Sequence, residues 1–264
     1  MARKKIFRRF KIRYRFYRYV YNISSKAVRR LLYLRYRFLR RIRFRYIRLL
    51  VYVGFRLWLK EIHNFEKLPQ KGPVLIVSNH ASYYDWSVLS AVYNRKYLVF
   101  LGNKELLKRP IVSWLMKLNI LIYIDTERPG FSYFREVIYR LKQGRIIVIY
   151  PEGRRSRIGK MIEPKIGFVK LAMITGTPIV PIGMKGTFDI LPPHKKIPRF
   201  HKCEMFVGNP ININKRSPLF KDIFLKDKNA KNLSDEGMKE IAIRIMDGIA
   251  KMVGQEWDDS VKKS

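Results

Sequence analysis

Two short stretches of the chain concentrate residue types that can do chemistry. The first is Pro73 to Trp86, P-V-L-I-V-S-N-H-A-S-Y-Y-D-W. Its apolar run, Val74 to Val77, is short enough to be one buried strand. Ser78-Asn79 end the run, His80 follows at once, and Asp85 comes five residues later, before a helical-looking segment. A histidine at a strand end with a carboxylate close by is the arrangement of a general base and its orienting partner. The carboxylate fixes the imidazole tautomer and stabilises the imidazolium formed on proton abstraction. The same residues also have a plainer reading. Ser82-x-x-Asp85 matches a capping box that opens a helix, and His80 would then simply close a strand.

The second stretch is I-I-V-I-Y-P-E-G-R-R-S-R, from Ile146 to Arg157. A buried strand runs into Pro151, then Glu152-Gly153, then three arginines around Ser156. Ligands of open α/β sheets bind at the carboxyl ends of strands. Gly153 permits a sharp backbone turn, and arginine presents a planar fork of donors to phosphate oxygens. Glu152 beside the arginines is expected to stay ionised and to accept hydrogen bonds from a substrate hydroxyl. The plainer alternative is a solvated basic turn with Glu152 as a local counter-charge.

Other chemistries find no pattern. There is no Gly-rich phosphate loop and no G-x-S-x-G nucleophile elbow. His63, His194 and His201 lack metal-ligand spacing to another histidine, cysteine or acid, so neither a metal site nor a resident cofactor is expected. The single cysteine, Cys203, allows no intrachain disulfide and reads as apolar strand filling.

The elements that must position these stretches follow an alternating strand–helix pattern from Glu61 onward, which predicts an α/β domain over residues 61–264. Strands are expected at Val74–Ser78, Tyr97–Leu101, Ile120–Ile124, Ile146–Tyr150, Ile179–Gly183 and Glu204–Val207. Helices are expected at Trp86–Tyr93, Ile111–Leu118, Phe131–Lys142, Lys165–Thr175 and Asp235–Val253, the last with Met238, Ile241, Ile245, Ile249 and Met252 as a core-facing stripe. Residues 191–231, rich in Pro, Lys and Asn, read as long loops around one strand.

Residues 1–60 form a separate, basic segment. They contain 21 Lys and Arg and no acid, and so carry more than half of the formal charge of +36. Phe, Tyr, Leu, Ile and Val are interleaved throughout, with Leu31, Leu34, Phe38 and Ile42 at helical spacings. Two helices broken near residues 22–25 are expected. Such a composition suits a membrane interface, a nucleic-acid arm or an arm packed on its own domain. The longest apolar run here, Leu49 to Phe55, has seven residues between Arg48 and Arg56, where about 18 are needed to span a bilayer. The basic N-terminus lacks the apolar core and cleavage site of a secretory signal.

Asn79-His80-Ala81-Ser82-x-x-Asp85 resembles the N-H-x-S-x-x-D motif of the glycerolipid acyltransferases, and the nearest branch is the 1-acylglycerol-3-phosphate (lysophosphatidate) acyltransferases. Pro151 to Ser156 resembles their P-E-G-T-R-S motif, with Arg154 in place of the threonine. Asn103 to Leu106 is similar to the A-K-x-E-L segment, and Thr177 to Pro181 to the fourth family block. The second block, usually F-I-D-R, departs: Tyr123-Ile124-Asp125 is followed by Thr126, with Arg128 two residues on.

The resemblance implies a mixed, largely parallel sheet flanked by helices, as in the glycerol-3-phosphate acyltransferase-like fold. It implies acyl transfer from acyl-CoA or acyl carrier protein to the free hydroxyl of 1-acylglycerol-3-phosphate, making phosphatidic acid. His80 would be the base and Asp85 its orienter. Glu152 and Gly153 would position the glycerol, and Arg155 with Lys104 would bind the phosphate; either Arg128 takes the place of the family arginine missing at Thr126, or Lys104 and Arg155 carry the phosphate alone. Another lysophospholipid or an aminoacyl lipid is the alternative acceptor. The expected partners are an anionic membrane surface and these substrates, without nucleic acid, at the cytoplasmic face of the cell membrane as a peripheral or monotopic protein. A nucleic-acid-binding or non-enzymatic lipid-binding protein is the alternative of a different class.

Overall fold

The computed structural model describes residues 30–35, 38, 39, 46, 49, 53, 57–69, 72–92, 98–103, 120–124, 131–195, 197–227 and 233–258. The chain divides into two compact units, Met1–Leu50 and Val51–Ser264. In the first, residues 30–35, 38, 39, 46 and 49 are helical, and Leu31, Leu34, Phe38 and Leu39 are exposed. The expected helix break near residues 22–25 lies outside the described residues. The two helices were expected within residues 1–60, but residues 57 and 58 form a turn and a strand begins at Leu59.

Among the described residues the second unit holds seven strands: β1 (Leu59–His63), β2 (Val74–Ser78), β3 (Leu98–Asn103), β4 (Ile120–Ile124), β5 (Ile146–Ile149), β6 (Ile179–Lys185) and β7 (Cys203–Val207). Their order across the sheet is β1-β7-β6-β2-β5-β3-β4. Every neighbouring pair is parallel except β6 and β7. β7 and β1 therefore run opposite to the other five strands. The sheet is mixed and largely parallel, as the sequence led one to expect.

Strand β2 sits centrally, with Val77 beside Ile149 on one side and Pro181 on the other. Both of its faces are covered, which is why it reads as an unbroken apolar run rather than an alternation. Leu75 and Val77 pack with Ile147, Ile149 and Ile179 in one core, and Val74 and Ile76 pack with Val148, Val180 and Ile182 in the other. The first core is closed by helices α2 (Phe131–Lys142), α3 (Gly167–Thr175) and α6 (Asp235–Val253), through residues such as Leu141, Phe168 and Ile245. The second is closed by α1 (Asp85–Val92), through Trp86, Val88 and Leu89. Two short helices, α4 (Thr187–Ile190) and α5 (Lys221–Lys226), also lie in this unit.

Helix α6 has its stop signals written locally. Ser234 caps it by accepting from Gly237 N–H at 3.1 Å, and Gly254 ends it at φ 63°. Met238, Ile241, Ile245 and Ile249 are buried, as the stripe predicted. Cys203 is buried and unbridged, and burial pushes its thiol pKa up to about 12, which fits filling rather than reactivity.

Two expectations need amending. β1 was not foreseen. The region 191–231 holds α5 as well as the expected strand. The helix expected at Ile111–Leu118 lies outside the described residues.

Gly183 in β6 lies directly against Val253 of α6. A Cβ there would lie 2.4 Å from Cγ1 of Val253, a side chain stiff at χ1. Gly183→Ala is therefore expected to lower unfolding stability by about 1–3 kcal/mol. Adding Val253→Ala should recover part of that loss. Denaturant titration of both variants checks this, and additive losses would count against the steric account.

Candidate active site

The carboxyl ends of β2 and β5 bring the two chemical stretches together. Beyond Ser78 the chain leaves the sheet, and Asn79 holds the exit in place. Its side-chain amide donates to Met184 O at 2.9 Å and to Gln255 Oε1 at 2.8 Å, while its Oδ1 accepts from Met184 N–H at 2.8 Å. Gln255 in turn donates to Gly159 O. This buried residue thus pairs with both backbone groups of a neighbouring strand and ties the site to the segment after α6.

His80 follows with its imidazole 19% exposed and Nδ1 2.8 Å from Oδ2 of the fully buried Asp85. The same Asp85 oxygen accepts the backbone N–H of Ala81 at 3.0 Å and of Ser82 at 2.9 Å. One Asp85 oxygen thus serves the turn and the imidazole together. It caps the turn at the start of α1 and it holds the imidazole. With Nδ1 on the carboxylate, Nε2 is the nitrogen left to meet a hydroxyl.

The ring of Tyr150, from the end of β5, lies parallel to the imidazole at 4.1 Å and 18°. Burial raises the Tyr150 phenol pKa well above its ordinary value, with the Asp85 charge adding to this. Tyr150 thus presents a neutral flat face that fixes the plane of the ring. It was read only as the last residue of a strand. An aromatic residue directly before Pro-Glu-Gly was the available signal.

Glu152 meets an environment different from the one expected of it. It is buried, and its two carboxyl oxygens accept backbone N–H groups: Oε1 from His80 at 2.7 Å and Oε2 from Ile162 at 3.2 Å. Burial pushes its pKa up to about 8, against the lowering effect of these two bonds and of Arg154. Desolvation therefore outweighs the neighbouring arginine. The His80 carbonyl also accepts Ser156 N–H at 2.8 Å, so the two loops are joined on both sides of one peptide residue.

Gly153 has φ 66°, and a Cβ there would lie 3.1 Å from Cε of Lys165. Only glycine turns the chain here without strain. Arg155 stacks over the ring of Tyr83 with its guanidinium carbon 3.3 Å from the centroid, which places a cation directly above the histidine loop. Lys104 and Arg128 lie outside the described residues.

Away from this site, the structure gathers Glu61, His63 and Glu204, whose ligand atoms lie within 4.8 Å of one another. The sequence reading missed this group because Glu204 comes from β7, 141 residues from His63. The two ring nitrogens face different carboxylates, Nδ1 at 3.6 Å from Glu61 and Nε2 at 2.9 Å from Glu204, and Lys60 also contacts Glu204. That is the geometry of an ion-pair chain on an edge strand.

Residues 60–185 match the sequence profile of the Acyltransferase family. The 1-acyl-sn-glycerol-3-phosphate acyltransferase of Bacillus subtilis is 25% identical over 152 residues, covering 58% of this chain and 73% of that protein. A chloroplast 1-acyl-sn-glycerol-3-phosphate acyltransferase of Brassica napus is 29% identical over 136 residues, covering 50% of this chain but only 39% of the plant protein. The crystal structure of the 1-acyl-sn-glycerophosphate acyltransferase of Thermotoga maritima superposes with a TM-score of 0.60 at 19% identity, over 93% of this chain and 88% of that one, which shows a shared fold. The stretch that resembles this family, residues 60–185, holds His80, Asp85, Glu152 and Arg155.

Proposed function

We propose that the protein transfers a fatty acyl chain from a thioester, acyl-CoA or acyl carrier protein, to the free hydroxyl of 1-acylglycerol-3-phosphate, forming phosphatidic acid. The observation that carries this reading is the His80 Nδ1 to Asp85 Oδ2 contact of 2.8 Å at the carboxyl end of a central strand. Nε2 of His80 takes the hydroxyl proton as the glycerol oxygen attacks the thioester carbonyl. Asp85 stabilises the imidazolium. The tetrahedral intermediate then collapses, the carbon–sulfur bond breaks, and the departing thiolate recovers the proton from His80. The reaction is a direct transfer, with no covalent acyl-enzyme and no resident cofactor.

Arg155, held over Tyr83, supplies the guanidinium for the acceptor's phosphate, with Lys104 and Arg128 as its partners in that task. Glu152 and Gly153 shape the acceptor's berth. Glu152 does so through the His80 amide, which it holds at 2.7 Å.

Among the described residues no helix is long and apolar enough to cross a membrane. We assign residues 1–60 to association with an anionic membrane surface, on the strength of 21 cations without an acid and of exposed Leu31, Leu34 and Phe38. The site would then work at headgroup depth on the cytoplasmic face, where acyl thioesters are available.

His80→Ala is expected to lower kcat by about 10²–10⁴ in transfer of labelled oleoyl chains to lysophosphatidate in anionic vesicles. Activity that survived the change would remove His80 as the base. Asp85→Asn should give a kcat loss of similar order with little change in KM for the thioester, because it disturbs the tautomer rather than substrate contacts. Arg155→Ala should instead raise KM for lysophosphatidate and leave KM for the acyl donor in place. An equal effect on both substrates would argue against a phosphate role.

Glu152 makes a pH prediction. Its pKa is about 8 folded against an ordinary 4.5, so the folded chain keeps a proton that the unfolded chain has released. Its contribution to stability is full below about pH 4.5, declines as pH rises toward 8 and is level above that. Glu152→Gln should flatten this decline in denaturant titrations across that range. It should also cost stability at low pH, because an amide cannot accept both backbone N–H groups with its two ends.

A further inference from the structure

β1 and β7 run opposite to β2, so their amino ends lie at the same sheet edge as the carboxyl ends of β2 and β5. Trp58 and Lys202, the residues just before β1 and β7, therefore stand at the edge that holds His80. Leu191, Arg199 and Lys202 are pinned there. Ser82 Oγ of the histidine loop donates to Leu191 O at 2.8 Å, Arg199 N–H donates to Ile190 O at 2.8 Å, and Trp58 Nε1 donates to Arg199 O at 3.1 Å. The Trp58 ring lies 5.9 Å from Tyr84 and 6.2 Å from Phe200, and Lys202 Nζ donates to Leu57 O at 2.6 Å.

On this fixed frame two apolar side chains point outward: Ile197 is 79% exposed and Phe200 76%. Leu57 beside them is also exposed. Lys195, Arg199 and Lys202 surround them in exposed positions, and no acid occurs between Asp189 and Glu204. Apolar tips ringed by cations without an acid complement an anionic bilayer: the tips leave water for the acyl boundary while the cations meet phosphates. A protein partner would be better served by a groove than by single protruding side chains. Pinning also matters, since a segment already ordered loses little conformational freedom on insertion.

We propose that Leu57, Ile197 and Phe200, with Lys195, Arg199 and Lys202, form a membrane-docking tip within the Val51–Ser264 unit, which sets the mouth of the His80 site against an anionic lipid surface. This rests on the proposed function in one respect, that the acceptor is a bilayer lipid.

The test uses the full chain with an environment-sensitive fluorophore on Ile197→Cys. The control carries the label on Ile174→Cys. Ile174 is also exposed, but it lies at the carboxyl end of α3, next to the amino end of β6 and hence at the opposite sheet edge. Vesicles of phosphatidylglycerol should blue-shift and brighten the label at position 197 and not at 174, and vesicles of phosphatidylcholine should do so weakly. In parallel, the double variant Ile197→Ser, Phe200→Ser should acylate vesicle-embedded lysophosphatidate about tenfold more slowly. Its rate on a short-chain lysophosphatidate below its micelle concentration should equal that of the parent. A silent label at 197, or equal responses at both positions, overturns the docking tip. A response to acyl carrier protein but not to vesicles overturns it in favour of a donor-docking surface. If the parent transfers acyl chains to no acceptor while the 197 label still responds to anionic vesicles, the proposed reaction fails and the docking tip stands.

Discussion

The structure around the site depends on one buried carboxyl group. Glu152 leaves the end of β5 and accepts the backbone N–H of His80, and the carbonyl of His80 accepts Ser156 N–H from the same loop. The histidine loop is thereby held by its own peptide groups, not by its side chain, so the imidazole stays free to be oriented by Asp85 and Tyr150. An unpaired buried carboxyl would be costly. Glu152 avoids that cost by pairing with two amides and by holding a proton, as its raised pKa of about 8 reflects.

This arrangement needs the sheet order. β2 lies next to β5, so the residues that follow both strands emerge side by side. β6 lies on the other side of β2, where Met184 receives both ends of the Asn79 amide. Three strands thus converge on four consecutive residues, Ser78 to Ala81. The helices contribute at one remove: α1 begins at Asp85 and so couples its own capping to the imidazole, and Gln255, just past α6, reaches Asn79. The geometry around His80 and the start of α1 draw on the same hydrogen bonds, so a change in either disturbs both.

The reversal at β6–β7 has a separate consequence. Because β7 and β1 run against the rest, their leading residues arrive at the end of the sheet that holds His80 and carry exposed apolar and basic groups there. A uniformly parallel sheet would have sent them to the far side. A single antiparallel step thus brings these exposed residues to the same end of the sheet as His80.

Much of this was legible in the sequence, for local reasons. Val74–Ser78 and Ile146–Ile149 are short apolar runs closed by polar or turn-forming residues, and both strands fall where those runs predict. Helix α6 carries its cap, its stripe and its stop within its own residues. The pairing of His80 with Asp85 spans five residues and is a local event, so spacing alone could suggest it.

What tertiary structure decided is what depends on partners far along the chain. β1 carries little apolar pattern because it is an edge strand, and it exists through its pairing with β7. Helix α5 is six residues of mixed charge, too short to show a period. The state of Glu152 could not be read from its neighbours in sequence. Those neighbours are arginines, which favour ionisation, while the burial that opposes it comes from the packed sheet. The stacking of Tyr150 on His80, 70 residues apart, likewise follows from the adjacency of β2 and β5. Short-range spacing settles which groups can react. Only the strand order settles which of them meet and how much water they keep.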